Sequence, residues 1–372
     1  MDRKYLEAIA TLVGTIIGAG VLGIPYVVAK SGIKIGLVHI LLLGIAILFI
    51  NLYVAEISLR TKKTHQLVGY AEKYLGRWGK YLMMLSTIIG VYGALTAYLI
   101  GEGKSIGTLL GIGSTIAMIF FFVIFSAIVY KGLKIMKRWE FYLSIFMVLV
   151  LFVIIALSAP SGTMENLRHT DYSFFFLPYG VILFAFIGAI AIPEMKEIII
   201  TERKRLRNAV IIGSLIPLAA YALFAIATVA VTGLSTDEIA TIGLGTVLGT
   251  HMVLLGNIFA ILSMATSFLA LGLGLKWVYQ YDFNMNAKLS WLLTISIPLA
   301  IALSGFAGFI KILGFTGAIS GGLEGILIVL MLHSARNKTE RKPEFTVPTN
   351  IIISGILVAI FLGGIIYTLL NP

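Results

Sequence analysis

Hydrophobic residues in this 372-residue chain come in long, nearly unbroken runs parted by short polar breaks. The runs cover about 8–29, 34–58, 81–108, 114–130, 140–158, 175–198, 209–232, 247–275, 289–307, 310–332 and 349–370. A helix rises about 1.5 Å per residue, so roughly 20 apolar residues cross a hydrocarbon layer of about 30 Å. A helix also satisfies its own backbone polar groups, which lipid cannot do. The pattern therefore predicts an all-α membrane protein of 11 transmembrane helices. The longest break, "RTKKTHQLVGYAEKYLGRWGK" (60–80), reads differently. Its Leu67, Tyr70, Ala71, Tyr74, Leu75 and Trp78 recur at helical spacing, which predicts an amphipathic helix lying on the membrane surface.

Composition agrees with a chain embedded in lipid. Hydrophobic residues make up 59% and charged ones 12%, about half the charge usual in soluble domains. The first run continues through glycines into Pro25 with no small-residue cleavage pattern, so a cleaved signal peptide is not expected. There is no cysteine, which excludes disulfide and thiolate chemistry, and only two glutamines, a composition that would suit a thermophile. The net charge of +11 would raise nucleic acid as a partner in a soluble protein, but its distribution points elsewhere. With a cytoplasmic N-terminus and alternating breaks, 23 of the 28 Lys and Arg, Lys134, Lys137 and Arg138 among them, fall on the inner side. The outer side holds Lys30, Lys34, Lys104, Arg168 and Lys311. This excess follows the positive-inside rule. It predicts a cell-membrane protein with an extracellular C-terminus, partnered by the bilayer and not by nucleic acid. No Asp-rich diphosphate cluster and no HExxH occurs, so an enzyme is not expected.

Two spans carry backbone-weakening residues where lipid offers no repair. "GVLGIP" (20–25) and "GAIAIP" (188–193) share Gly-x-x-x-Ile-Pro. They lie in the first and sixth spans, which enter from opposite sides. This predicts an inverted repeat of five plus five spans, about 8–158 and 175–332, within one domain of residues 1–372, with the helix at about 349–370 appended. Interrupted segments at matching places of two halves point to a transporter's binding site. At Gly18 and Gly20 the chain can unwind, and the half-helices on either side then present free N–H groups and free C=O groups. A zwitterion such as an amino acid needs both. The alternative is that Gly14, Gly18 and Gly23 only let a neighbouring helix approach closely.

"GTIIGAGVLGIPYVVAKSG" resembles the first helix of the amino acid–polyamine–organocation superfamily. "FAFIGAIAIPEM" and "ILGFTGAISGGLEGIL" are similar to the sixth and tenth helices of its amino acid/auxin permease branch, which includes the hydroxy and aromatic amino acid permeases. The resemblance covers nearly the whole chain. It implies the leucine-transporter fold with helices 1 and 6 discontinuous, amino acid substrates, and coupling to sodium or protons. The Asp-Pro-Gly-Asn motif of the metal-transporting branch is absent.

Under that resemblance the expected substrate site is Gly18, Ala19, Gly20 and Val21 with Phe184, Ala185, Phe186 and Gly188. Ala94, Thr96, Tyr98 and Phe315 are candidates to complete an apolar pocket for a neutral side chain. Ser263, Thr266 and Ser267 lie at i, i+3 and i+4, on one helix face. With the carbonyls of Gly14 and Ile17 they would give five oxygens, a pattern resembling the sodium site of this fold. The alternative is that these hydroxyls bond back to their own helix or join helices. No resident cofactor is expected; sodium would be a coupling ion. Among charges within the runs, Glu102 and Glu324 are candidates for a gate or proton carrier, whereas Glu56 and Glu194 lie nearer span ends. All four Asp, Asp2 included, lie outside the spans or at their edges. The expected function is import of neutral amino acids by sodium symport. A proton symporter and an ion channel are the alternatives, and the oligomeric state is left open.

Overall fold

The structure is a computed structural model describing residues 3–132, 136–200, 202–348 and 350–371, with the side chains of 136–141 and of residue 282 outside the description. Of the charges placed above, Asp2 and Lys134 and the side chains of Lys137, Arg138 and Asp282 therefore lie outside the described residues. Among the described residues every regular segment is helical, and no named strand occurs.

In chain order the helices are α1 (Arg3–Ile16), α2 (Gly20–Ser31), α3 (Ile33–Arg60), α4 (Leu67–Leu110), α5 (Ser114–Lys131), α6 (Met136–Ser158), α7 (Leu177–Phe186) and α8 (Ile192–Ile198). There follow α9 (Leu206–Thr232), α10 (Ala240–Leu248), α11 (Thr250–Trp277), α12 (Ala287–Ser304), α13 (Phe309–Thr316), α14 (Gly322–Asn337) and α15 (Ile351–Leu370). Among the described residues ten stretches are long and apolar enough to cross a bilayer, and α1 with α2, bent by 53° at their junction, makes an eleventh when the pair is taken as one span. The segmentation read from hydropathy is thus the segmentation of the fold.

Burial sorts these helices into a centre and a rim. α4 packs against α5, α11, α13 and α14; α3 packs against α9 and α14; α1 and α2 lie against α9, and α2 also against α7. The α7–α8 span is the most buried, while α5, α12 and α15 turn most of their surface outward. That surface is apolar: Ile116, Phe120 and Val123 of α5 are all exposed. A soluble protein rarely leaves so broad an apolar face uncovered, whereas acyl chains cover it at no cost.

The surface helix of the 60–80 break differs from expectation in one respect. Leu67, Tyr70, Ala71 and Tyr74 are buried along one face. At Gly76 the backbone takes φ 77°, a left-handed value that favours glycine, and α4 kinks there into its spanning part. Trp78 lies past the kink and is 51% exposed, so the helical count that grouped it with Leu67 no longer holds. The run at 247–275 covers the end of α10, Gly249 at φ 87° and nearly all of α11, so hydropathy did not separate the short α10 as an element of its own.

Several basic residues gather around the C-terminal end of α3. There Glu56, fully buried, accepts from Arg60 (2.9 Å), from Arg336 through Nε (2.9 Å) and a terminal nitrogen (2.8 Å), and from the Val347 amide (2.7 Å). Lys196 Nζ at the end of α8 donates to the carbonyls of Ser58 (2.8 Å) and Thr61 (3.3 Å), which cap α3. Glu56 is thus held by two arginines, Arg60 of its own helix and Arg336 supplied from α14. Glu194 is exposed.

Candidate functional site at two interrupted helices

The first interruption is the three residues Ile17, Gly18 and Ala19 between α1 and α2. In a continuous helix the Gly18 amide would bond to Gly14 and the Val21 amide to Ile17. Here Gly18 N–H donates instead to Ile16 (2.9 Å) and Val21 N–H to Gly18 (3.4 Å). The carbonyls of Gly14 and Ile17 are thereby released from those amides. The second interruption separates α7 from α8: Ile187 leaves the helix at ψ 120°, and Gly188 follows at φ −154°, ψ 1°. A single turn at Ala189–Ala191 restarts the chain, with the Ala191 amide bonded to Gly188 (3.0 Å).

The two interruptions meet. A Cβ added to Gly20 would lie 2.6 Å from Ala185 Cα and 3.2 Å from a Phe184 ring carbon, so these backbones approach as only glycine allows. A Cβ on Gly188 would lie 2.5 Å from the Ile16 side chain. The residues expected to form the substrate site, Gly18, Ala19, Gly20 and Val21 on one side and Phe184, Ala185, Phe186 and Gly188 on the other, are accordingly brought together. Phe186 tilts against Tyr221, ring centroids 5.0 Å apart.

Sequence reading missed Tyr221. This fully buried α9 residue directs its hydroxyl at the Ile16 carbonyl (2.6 Å) and at the Ala185 carbonyl (3.0 Å), one from each interrupted helix. A tyrosine in an apolar run carries no signal in a single sequence that would set it apart.

The hydroxyls of α11 have separate surroundings. A Cβ on Gly18 would sit 3.2 Å from Ser267 Oγ, which places Ser267 beside the first interruption. Tyr98 of α4 lies beside the same serine side chain. Ser263 Oγ is buried without a partner, an oxygen still able to take a ligand. Thr266 instead donates back to Leu262 (2.8 Å) and Ser263 (3.1 Å). A hydroxyl that donates backward keeps its lone pairs, so this does not remove it as an oxygen donor. Ser144 of α6 packs on Gly14, a neighbour the sequence did not reveal.

Of the other pocket candidates, Ala94 and Tyr98 are buried, Thr96 donates back to Tyr92 (2.7 Å), and Phe315 stands 45% exposed on α13. Glu102 is fully buried in α4, and neither of its oxygens has a hydrogen-bond partner. Its sequence neighbour Lys104 pairs with Glu238 (2.6 Å). Glu324 belongs to α14, just past a π-helical turn at Gly317–Gly321, and lines a small cavity with the second interruption. His39 is buried, with Nδ1 3.0 Å from the Ile35 carbonyl. Among the described residues no group of three His, Asp or Glu is gathered as a metal site.

Crossing helices of this number, two of them opened into facing backbone groups, define a polytopic membrane protein. The chain belongs to the tryptophan/tyrosine permease family, whose model matches residues 1–371. It is 29% identical over 374 residues to the tyrosine-specific transport system 1 of Haemophilus influenzae, covering 92% of this chain and 90% of that protein. It is 26% identical over 357 residues to glutamine transporter 2 of Aliivibrio fischeri, covering 91% of each. It is likewise 26% identical to the tyrosine-specific transport system 2 of Haemophilus influenzae, over 86% of this chain and 85% of the relative. Amino acid permeation is the activity these relatives share.

Proposed function

We propose that the protein is a sodium-coupled importer of neutral amino acids working by alternating access, with tyrosine and glutamine the first substrates to test. Tyrosine and glutamine, named in its relatives, differ widely in side chain but share the zwitterionic backbone. The observation that carries the reading is the first interruption. Its released carbonyls suit cations, and the amides at the start of α2 suit a carboxylate. The substrate lies between Gly18–Val21 and Phe184–Gly188. Sodium lies among the Gly14 and Ile17 carbonyls and the hydroxyls of Ser263, Thr266 and Ser267, all hard oxygen donors. The two halves, about 8–158 and 175–332, form an inverted repeat and rock against each other, while the helix at about 349–370 stays outside. The basic cluster around the C-terminal end of α3 faces the cytoplasm with the N-terminus, following the charge bias.

The test is uptake into proteoliposomes across a panel of labelled amino acids, with sodium and proton gradients imposed separately. Sodium-driven, saturable uptake supports the proposal. Ser263→Ala and Thr266→Ala are expected to raise the half-saturating sodium concentration about tenfold, the loss of one good ligand at roughly 1.4 kcal/mol. If both leave sodium-driven uptake untouched, the sodium assignment is wrong. A proton-coupled symporter is the second reading. It is favoured by Glu102, a buried carboxyl that no donor satisfies.

A further inference from the structure

Behind the second interruption, away from Gly20, lies a cavity of about 10 Å³, close to the space one water needs. Ile187, Gly188 and Ala189 of the interruption form one wall, Ile50 and Asn51 of α3 another, and Glu324 a third. Asn51 is fully buried. Its Nδ2 donates to Ser214 Oγ (3.2 Å), and its Oδ1 has no partner. Asn51 and Glu324 line the same cavity; an amide oxygen and a carboxylate are both acceptors, and neither can satisfy the other. They become complementary when a proton sits on the carboxyl, because the acid O–H then donates to Asn51 Oδ1.

We propose that this cavity is a proton-binding site in which Glu324, protonated at neutral pH, donates to Asn51 and so holds α14 to α3 and to the interrupted helix until the proton leaves. The site is distinct from the sodium position at α1 and α11, and rests on the transport reading above. The span made of α13 and α14 is built to respond there. Its π turn breaks the regular ladder one turn before Glu324, as such turns often do at functional positions. On one side the turn meets α7 through Gly317, whose Cβ would lie 2.6 Å from the Phe184 amide. On the other side Ser320 and Ser86 of α4 exchange hydrogen bonds, each hydroxyl donating to the other's carbonyl (2.9 and 2.8 Å). A bare carboxylate in this space would draw water in and part these surfaces.

Glu324 is the one titratable residue lining the cavity. On the neighbouring helices Glu102 of α4 has no hydrogen-bond partner but does not line the cavity, and others are engaged elsewhere. Glu56 of α3 is held by Arg60 and Arg336, Tyr179 of α7 donates to Ile360, Tyr92 of α4 bonds Tyr279, and Tyr367 of α15 stacks on Phe176.

Infrared difference spectroscopy of the purified protein tests the site without relying on transport. Wild type minus Glu324→Gln should show the carbonyl stretch of a protonated carboxylic acid at neutral pH. Asn51→Leu, which keeps the acid and removes its acceptor, should move that band towards the free-acid position. In Glu324→Gln the introduced side-chain amide can still donate to Asn51, so this variant should bind substrate yet turn over about tenfold more slowly, independent of pH, a loss of roughly 1.4 kcal/mol in the transition. A missing acid band overturns the proposal, as an ionised Glu324 held by a rotated Asn51 amide would give. So does a Glu324→Gln variant with wild-type turnover and pH profile. If wild-type proteoliposomes take up no amino acid, the transport reading fails, and the infrared band alone then decides the proton site.

Discussion

The hydroxyl oxygen of Tyr221 lies 2.6 Å from the carbonyl oxygen of Ile16, the last residue of α1. The same hydroxyl is 3.0 Å from the Ala185 carbonyl near the end of α7. It has one hydrogen and faces two acceptors, so it ties α9 to both interrupted helices at once. Tyr221→Phe would leave two buried carbonyls without this donor while changing the packing little. The expected cost is about 1–3 kcal/mol, with a lower midpoint for heat-induced loss of the monodisperse peak in detergent. Substrate affinity should fall with it, because the facing backbones lose their common support. A midpoint equal to wild type would refute the bridge.

Gly20 gives a sharper test of how closely the interruptions approach. Gly20→Val places branched carbons where Ala185 Cα already stands 2.6 Å from the ideal Cβ. Backbone cannot yield as a flexible side chain can, so binding and uptake are expected to be lost in protein that still reaches the membrane. Gly18→Ala meets only Ser267 Oγ at 3.2 Å and should keep substrate binding while weakening the response to sodium. Equal effects of the two on substrate binding, measured by scintillation proximity, would separate the structure from the assignment of roles.

Much of this arrangement was legible because it is local in the chain. The run of glycines ending at Pro25 announced the opening between Ile16 and Gly20, and its echo at 188–193 announced the other. Hydropathy placed the spans because lipid imposes one length on all of them. What stayed hidden depends on contacts between distant residues. Nothing near Glu324 in sequence points to Asn51, some 270 residues earlier. The π turn at Gly317–Gly321 reads as an ordinary small-residue stripe until Gly180 and Gly317 are seen pressed together. Tyr221 and Ser144 were missed for the same reason, because their meaning lies in what faces them, whereas the kink at Gly76 is a local left-handed turn with nothing packed on it.

Glu56 should be the costliest single charge to remove in the basic cluster around the end of α3. It is fully buried, its partner Arg60 is 11% exposed and Arg336 27% exposed, and the Val347 amide completes its shell. Glu56→Gln keeps the shape but leaves two arginines facing a neutral amide. Breaking a buried pair in this way typically costs about 3–5 kcal/mol, and the partial exposure of Arg336 puts the expectation near the lower figure. Arg336→Ala should cost less than Glu56→Gln, and the double variant less than the two added together. Additive losses in a thermal double-mutant cycle would show that Glu56 and Arg336 do not act as a unit.

Glu340 joins the loop after α14 to the start of α4 and carries the pH dependence of that junction. Its carboxylate accepts from Lys73 Nζ (2.5 Å) and from the Lys62 amide (2.9 Å), and these hydrogen bonds hold its pKa below the usual carboxylate value. A group whose pKa is lowered by folding contributes fully above its unfolded value, and the contribution fades as pH falls through the folded one. The junction should therefore persist at neutral pH and loosen only below about pH 4. Pepsin, active in acid, reads this directly. Cleavage between residues 338 and 348 should accelerate on going from about pH 4.5 to about pH 2.5, beyond the enzyme's own change on a denatured control. Glu340→Gln keeps the side-chain shape but has no charge to lose, so its cleavage should already be fast at the higher pH and change little. A wild-type segment equally resistant at both values would mean that other contacts, such as Arg341 on the Leu59 carbonyl (3.1 Å), hold the loop without Glu340.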